Sequence, residues 1–110
     1  MISFGIVLGE PNSINSEILA KSSAIKSSSI IIGSYELLKS QLAILKIKRK
    51  IRKINKTEDI KKNDAVINVL DIPLKFKKPF NVSRKESSKY VKKCLLVSHS
   101  LCLQKKIKGI

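Results

Sequence analysis

The alternation of apolar and polar stretches predicts an α/β protein built as one incomplete domain over residues 1–110. Three observations carry this expectation. The apolar run Ile2 to Leu8 is followed by a polar turn, Gly9-Glu10-Pro11-Asn12-Ser13, and then by apolar residues at helical spacing. The uninterrupted run Ser29 to Gly33 (SIIIG) has the composition of a strand covered on both faces, and Ser34 after it suits a helix N-cap. A third apolar run, Ala65 to Leu70 (AVINVL), ends at Asp71-Ile72-Pro73, where proline removes a ladder donor. Strand followed by turn and helix, repeated, is the pattern of a parallel sheet with helical crossovers.

In chain order, the first strand covers Ile2 to Leu8. The turn after it reverses the chain at a strand's carboxyl end and presents unpaired backbone N–H groups at the start of a helix, the arrangement that favours anions in open α/β sheets. That helix begins near Ile14 and carries Ile14, Ile18, Leu19 and Ile25 on one face, with Ser13 or Asn12 as N-cap and Glu17 near the positive end of the dipole. Serines between Ser22 and Ser29 weaken its end. The second helix runs from Ser34 to about Lys46, its apolar side given by Leu37, Leu38, Leu42 and Leu45.

The basic segment that follows, with Ile47, Ile51 and Ile54, suits either an extension of this helix or an exposed edge strand over Lys50 to Ile54. The edge strand is favoured, because a lysine-rich edge resists unwanted pairing. Thr57 to Asn63 is turn-like, with one helical turn at Thr57-Glu58-Asp59. After the strand at Ala65, residues Asp71 to Val82 form a loop with Phe76 and Phe80 as its expected anchors. Ser83-Arg84-Lys85-Glu86 has the spacing of a capping box, and the helix it opens places Val91, Cys94, Leu95, Ser98 and Cys102 along one stripe. Lys108-Gly109-Ile110 reads as the opening of a further strand. A domain rarely closes on the first residues of a buried strand, so the chain reads as a fragment, expected to be aggregation-prone or molten when isolated.

Composition narrows the functional classes. A chain of 110 residues with 43% hydrophobic content and a mean hydropathy near zero suits one folded unit rather than a disordered chain. No apolar run approaches the roughly 20 residues needed to cross a bilayer, and the N-terminus lacks a signal-peptide pattern, which predicts a cytoplasmic protein without a membrane partner. Cys94 and Cys102 lie in one helix with Cα atoms about 12 Å apart at roughly 1.5 Å rise per residue, too far for a disulfide. With His99 the single histidine, no metal cluster can be drawn within the chain, and His99 reads as a helix-surface residue.

A net charge of +15 raises the alternative of a small basic nucleic-acid-binding protein, best supported by Lys46 to Lys53 (KIKRKIRK). Against it, the excess is nearly all lysine, spread along the chain, and the five aromatic residues are scattered without the spacing of a known nucleic-acid module.

Four stretches, in order, resemble one enzyme family. GEPNSINSEI (residues 9–18) is similar to the G-D/E-P-x-G-I-G-x-E-I/V signature that opens the 4-hydroxythreonine-4-phosphate dehydrogenases. SIIIGSYELLKSQL resembles that family's second strand and helix, VINVLDIPL its I-N-V-L-D-L-P-L strand and loop, and PFNVSRKESSKYVKKCL its P-x-G-x-x-S-x-x-x-G segment. Ser13 and Asn15 stand where the family has glycine. Asparagine tolerates a left-handed backbone, whereas a glycine-requiring position at Ser13 would be strained.

The resemblance implies the N-terminal part of a three-layer αβα fold of the isocitrate/isopropylmalate dehydrogenase type. It implies a homodimeric oxidoreductase of pyridoxal phosphate biosynthesis that oxidises the 3-hydroxyl of 4-phosphohydroxy-L-threonine, a phosphorylated hydroxy amino acid, with NAD or NADP, followed by decarboxylation. A divalent metal (Zn, Mg or Co) assists in the full-length enzyme. Glu10, Asn12, Ser13 and Asn15 are then candidates for the edge of the substrate and cofactor cleft, none of them catalytic. The resemblance also implies that a T-x-P-I/V-x-K strand-loop, substrate-binding residues and three metal-binding histidines lie beyond Ile110, so that this piece alone is inactive and binds neither cofactor nor metal tightly. A decayed domain retained as a subunit is a further alternative.

Overall fold

Three consecutive isoleucines, Ile30, Ile31 and Ile32, point alternately to the two faces of one strand, and each face finds its own helix. The structure, a computed structural model, describes residues 2–12, 29–60 and 66–109. Within these, strands β1 (Ile2–Val7), β2 (Ser29–Gly33), β3 (Lys50–Ile54), β4 (Val66–Asp71) and β5 (Ile107–Gly109) alternate with helices α1 (Tyr35–Leu45) and α2 (Arg84–Leu103). They form one sheet in the order β3-β4-β2-β1-β5, with every neighbouring pair parallel.

Packing divides into two layers. On one face Ile31, Ile67 and Val69 meet Leu38 and Leu42 of α1. On the other, Ile30, Ile32 and Leu70 meet Tyr90, Cys94 and Leu101 of α2. Each fully buried Leu or Ile contributes roughly 1.5–3 kcal/mol relative to exposure. The result is a three-layer αβα arrangement, as the sequence predicts.

Local signals place the elements. Ser34 Oγ accepts the Leu37 N–H and Ser83 Oγ accepts the Glu86 N–H, so both helices begin at the expected caps. The basic segment resolves as the edge strand: among the described residues β3 pairs only with β4. Arg52 there donates to Asn68 Oδ1 (3.2 and 3.1 Å) and to the Asp59 carbonyl (2.6 Å), so part of the positive run holds the edge of the sheet together. Thr57–Asp59 forms a single 3-10 turn.

Three expectations need correction. Of the expected α2 stripe, Cys94 and Ser98 are buried and Val91 and Cys102 pack against the core, but Leu95 is 51% exposed, and Ser87, Tyr90 and Leu101 complete the buried face. The loop after β4 is anchored by Ile72 and Val82, both buried, rather than by Phe76 and Phe80, which are half-buried and belong to neither core cluster. On α1, Gln41 takes the inward position expected for Leu45. His99 is exposed on α2, as expected. The helix expected from Ile14 to Ile25 lies outside the described residues.

Cys94 and Cys102 are both free thiols, the first buried and the second half-buried. Burial pushes the Cys94 thiol up to about 11 from an ordinary 9.0. A thiol harder to ionise in the folded chain than in the unfolded one favours folding below the unfolded value and loses that contribution as pH rises from about 9 to 11. Alkylation at mildly alkaline pH is expected to label Cys102 first, with Cys94 reacting only on unfolding. Equal labelling of both, read by mass spectrometry, would contradict this packing.

Candidate functional site

Parallel register brings three carboxyl ends level. Val7 of β1 is opposite Ile32, and Gly33 of β2 is opposite Asp71 of β4. Backbone bonds extend this by one residue on each side, Leu8 N–H to the Ile32 carbonyl (3.1 Å) and Ile72 N–H to the Gly33 carbonyl (2.8 Å). The turn after β1, the start of α1 and the loop after β4 therefore emerge side by side, where open α/β sheets bind their ligands.

Side chains then tie the two loops together. Gly9 takes φ 79°, a conformation that suits glycine, and turns the chain out of β1. Beyond it Asn12 forms a two-way clamp with Val82. Its Nδ2 donates to the Val82 carbonyl (3.0 Å) and its Oδ1 accepts the Val82 N–H (2.8 Å). Beneath them the buried Gln41 amide donates from Nε2 to the carbonyls of Pro11 (2.6 Å) and Pro79 (2.7 Å). One glutamine on α1 thus holds both loops, and one asparagine joins them directly.

The N-terminus of α1 is closed by the protein itself. Asp71 Oδ1 accepts the Tyr35 N–H (2.9 Å), Tyr90 Oη accepts the Ser34 N–H (2.7 Å), and Ser34 Oγ takes the Leu37 N–H (3.1 Å). Lys53 lies 3.7 Å from the Asp71 carboxylate. Burial raises the Tyr90 pKa well above the ordinary tyrosine value, so its hydroxyl stays neutral. These donors are occupied by internal acceptors.

An open cavity of about 500 Å³ lies between the β1 turn and α2, lined by Glu10, Asn12, Val82, Arg84, Ser87 and Ser88. A second, of about 360 Å³, lies across Val82 and is lined in part by Lys75, Phe76, Ser83 and Glu86. Of the residues singled out from the sequence, Glu10 and Asn12 border the larger cavity, while Ser13 and Asn15 lie outside the described residues. Asn12 commits both ends of its amide to Val82. Glu10 is exposed and its Oε1 accepts the Asn12 N–H (3.3 Å).

Sequence reasoning missed Gln41, Val82 and Ser87. The signal for Gln41 was a polar residue inside an apolar helical stripe; for Val82 and Ser87 nothing local marked them. Among the described residues no three His, Cys, Asp or Glu side chains gather where a metal ion would sit, and no helix is long and apolar enough to cross a membrane.

No family model matches this sequence, and no curated protein matches it. Solved structures do. A 4-hydroxythreonine-4-phosphate dehydrogenase from Klebsiella pneumoniae superposes with a TM-score of 0.83 at 22% identity, over 97% of this chain and 35% of its own. The corresponding enzyme from Burkholderia phymatum gives 0.83 at 21% identity, over 97% and 34%. A Salmonella typhimurium protein provisionally assigned the same activity gives 0.84 at 20%, over 97% and 36%. The chain spans about a third of the length of the solved proteins it matches. It therefore has the α/β fold found in about one third of a 4-hydroxythreonine-4-phosphate dehydrogenase, the family its sequence resembles.

Proposed function

We propose that residues 1–110 are the N-terminal segment of a 4-hydroxythreonine-4-phosphate dehydrogenase, a cytoplasmic, homodimeric oxidoreductase of pyridoxal phosphate biosynthesis. The enzyme on this reading oxidises the 3-hydroxyl of 4-phosphohydroxy-L-threonine with NAD or NADP, and decarboxylation follows. One observation carries it. Four sequence stretches resembling that family occur in the family's order, and the fold likeness to those dehydrogenases extends over 97% of the chain.

This segment's contribution is positional. On this reading Glu10 and Asn12 border the substrate and cofactor cleft, Ser13 and Asn15 are further candidates by the family resemblance alone, and Gln41 and the Asn12–Val82 clamp fix the loops around it. The described residues offer no donor set for a divalent cation. When bound, such a cation would stabilise negative charge on the substrate oxygen, and on this reading its ligands and the catalytic groups belong to the rest of the enzyme.

The test is the gene beyond Ile110. Continuation into a T-x-P-I/V-x-K segment and downstream histidines is expected. A stop codon followed by unrelated sequence would contradict an active dehydrogenase.

A further inference from the structure

The outward side of α2 carries an ordered stripe of its own. Lys85, Lys89, Lys92, Leu96, His99 and Leu103 follow one another at spacings of four, three, four, three and four, so they share one face of the helix over nearly its whole length. All six are exposed, opposite the face that Tyr90, Cys94 and Leu101 bury against the sheet. Leu96 is 60% exposed and Leu103 71%, and Leu95 beside them widens the apolar end. The stripe divides lengthwise, lysine in its first half and apolar around His99 in its second. Glu86, half-buried to one side, is the only acidic residue of the helix, and Lys85, Lys89 and Lys92 make no ion pair with a described residue.

This division selects among occupants. Alternating spacings of three and four are those of a seam between paired helices, and at roughly 1.5 Å per residue the stripe runs for about 27 Å. A second copy of the chain fits it poorly. Parallel copies would set lysine against lysine, and antiparallel copies would set lysine against leucine, with the +15 charge of each chain adding repulsion. A lipid surface also fits poorly, because an interfacial helix carries apolar side chains along the whole centre of its buried face and lysines at the margins. Here lysines occupy the centre line of the first half. A helix with carboxylates along one half of a face and apolar side chains along the other complements both halves at once.

We propose that the outer face of α2 docks an acidic amphipathic helix of a partner protein, its carboxylates against Lys85, Lys89 and Lys92 and its apolar side chains against Leu96, His99 and Leu103. Leu95 closes one flank of the apolar half. The inference stands on the pattern of this face and does not rest on the dehydrogenase reading.

The test measures fluorescence anisotropy of a labelled synthetic helix of about 20 residues, with glutamate along the first half of one face and leucine along the second, titrated with the 110-residue chain at about 0.15 M salt. Saturable binding is expected, at least about tenfold tighter than that of a peptide of the same composition with the glutamates and leucines shuffled off one face. Leu96→Gln/Leu103→Gln, two exposed changes, weakens it about tenfold or more. Lys89→Glu/Lys92→Glu weakens it far more than Lys77→Glu/Lys78→Glu, which makes the same change of charge at exposed positions of the loop after β4. No binding, equal binding of the two peptides, or equal effects of the two lysine pairs would mean at most a general attraction to the +15 charge and would overturn the proposal. Self-association abolished by Leu96→Gln/Leu103→Gln would put a second copy on this face and overturn it. So would leucine-dependent sedimentation with phosphatidylserine vesicles in the absence of peptide binding. If the polypeptide encoded by the whole gene fails to bind a peptide that the 110-residue chain binds, the face is covered within that polypeptide, and a separate partner is overturned while the dehydrogenase reading stands.

Discussion

Gln41→Ala is expected to destabilise the chain by about 2–4 kcal/mol in urea unfolding. The change removes two short hydrogen bonds, to the Pro11 and Pro79 carbonyls, from a side chain that is 2% exposed. It also strands those two carbonyls. A second variant separates packing from hydrogen bonding. Gln41→Leu restores most of the volume and none of the bonds, so it should remain nearly as unstable as the alanine variant. Gln41→Leu at wild-type stability would show that the amide contributes only bulk. On the proposed dehydrogenase reading, the same substitution in the longer polypeptide would loosen both loops and raise KM before it lowers kcat, since Gln41 acts on the cleft only through its walls.

Gly33→Ala should cost a comparable amount, about 2–4 kcal/mol. A Cβ at Gly33 would fall 2.6 Å from Tyr90 Oη and 2.9 Å from Leu8 Cβ, both held by surrounding structure. The tyrosine hydroxyl reaches the Ser34 N–H at 2.7 Å because the preceding residue has no side chain. Forcing Tyr90 away therefore loses a buried bond as well as straining the packing. The double variant Gly33→Ala/Tyr90→Phe should be less unstable than the sum of the single variants, because removing the oxygen relieves the closest contact. Gly5→Ala provides the contrast. Its Cβ would meet Ile32 Cδ1 at 2.8 Å and Ile107 Cδ1 at 3.0 Å, the far ends of flexible side chains, and the cost should be nearer 1 kcal/mol. Equal losses at Gly5 and Gly33 would contradict a specific role for the Tyr90 hydroxyl.

What was legible in the sequence was what neighbouring residues decide. Ser34 and Ser83 mark helix starts because an N-cap bonds within its own first turn. The Ser29 to Gly33 run marks a strand covered on both faces because each face needs apolar cover. Lys50 to Ile54 suited both helix and edge strand by spacing, the lysine-rich edge favoured the strand, and pairing with β4 bears that out. Sheet order was not readable, because no local signal says that β4 inserts between β2 and β3.

The cleft was harder to read than the fold. Asn12 and Val82 are 70 positions apart, and an asparagine after a proline looks like any turn residue until its partner is known. Asp71 looked like the end of a strand, and the structure makes it also an acceptor at the start of α1. Leu95 joined the expected stripe through hydrophobicity alone, whereas the buried arc of α2 follows Tyr90 and Cys94 one step around the helix. The family resemblance pointed to the same end of the sheet by a different route, through the ordered stretches beginning at Gly9.

The most direct test of the account is reduction of NAD or NADP by the polypeptide that the whole gene encodes, with 4-phosphohydroxy-L-threonine as substrate and Zn, Mg or Co supplied. The account predicts substrate-dependent formation of reduced nicotinamide that is weakened by Gln41→Ala. A folded full-length product that forms none with any of these metals would contradict it.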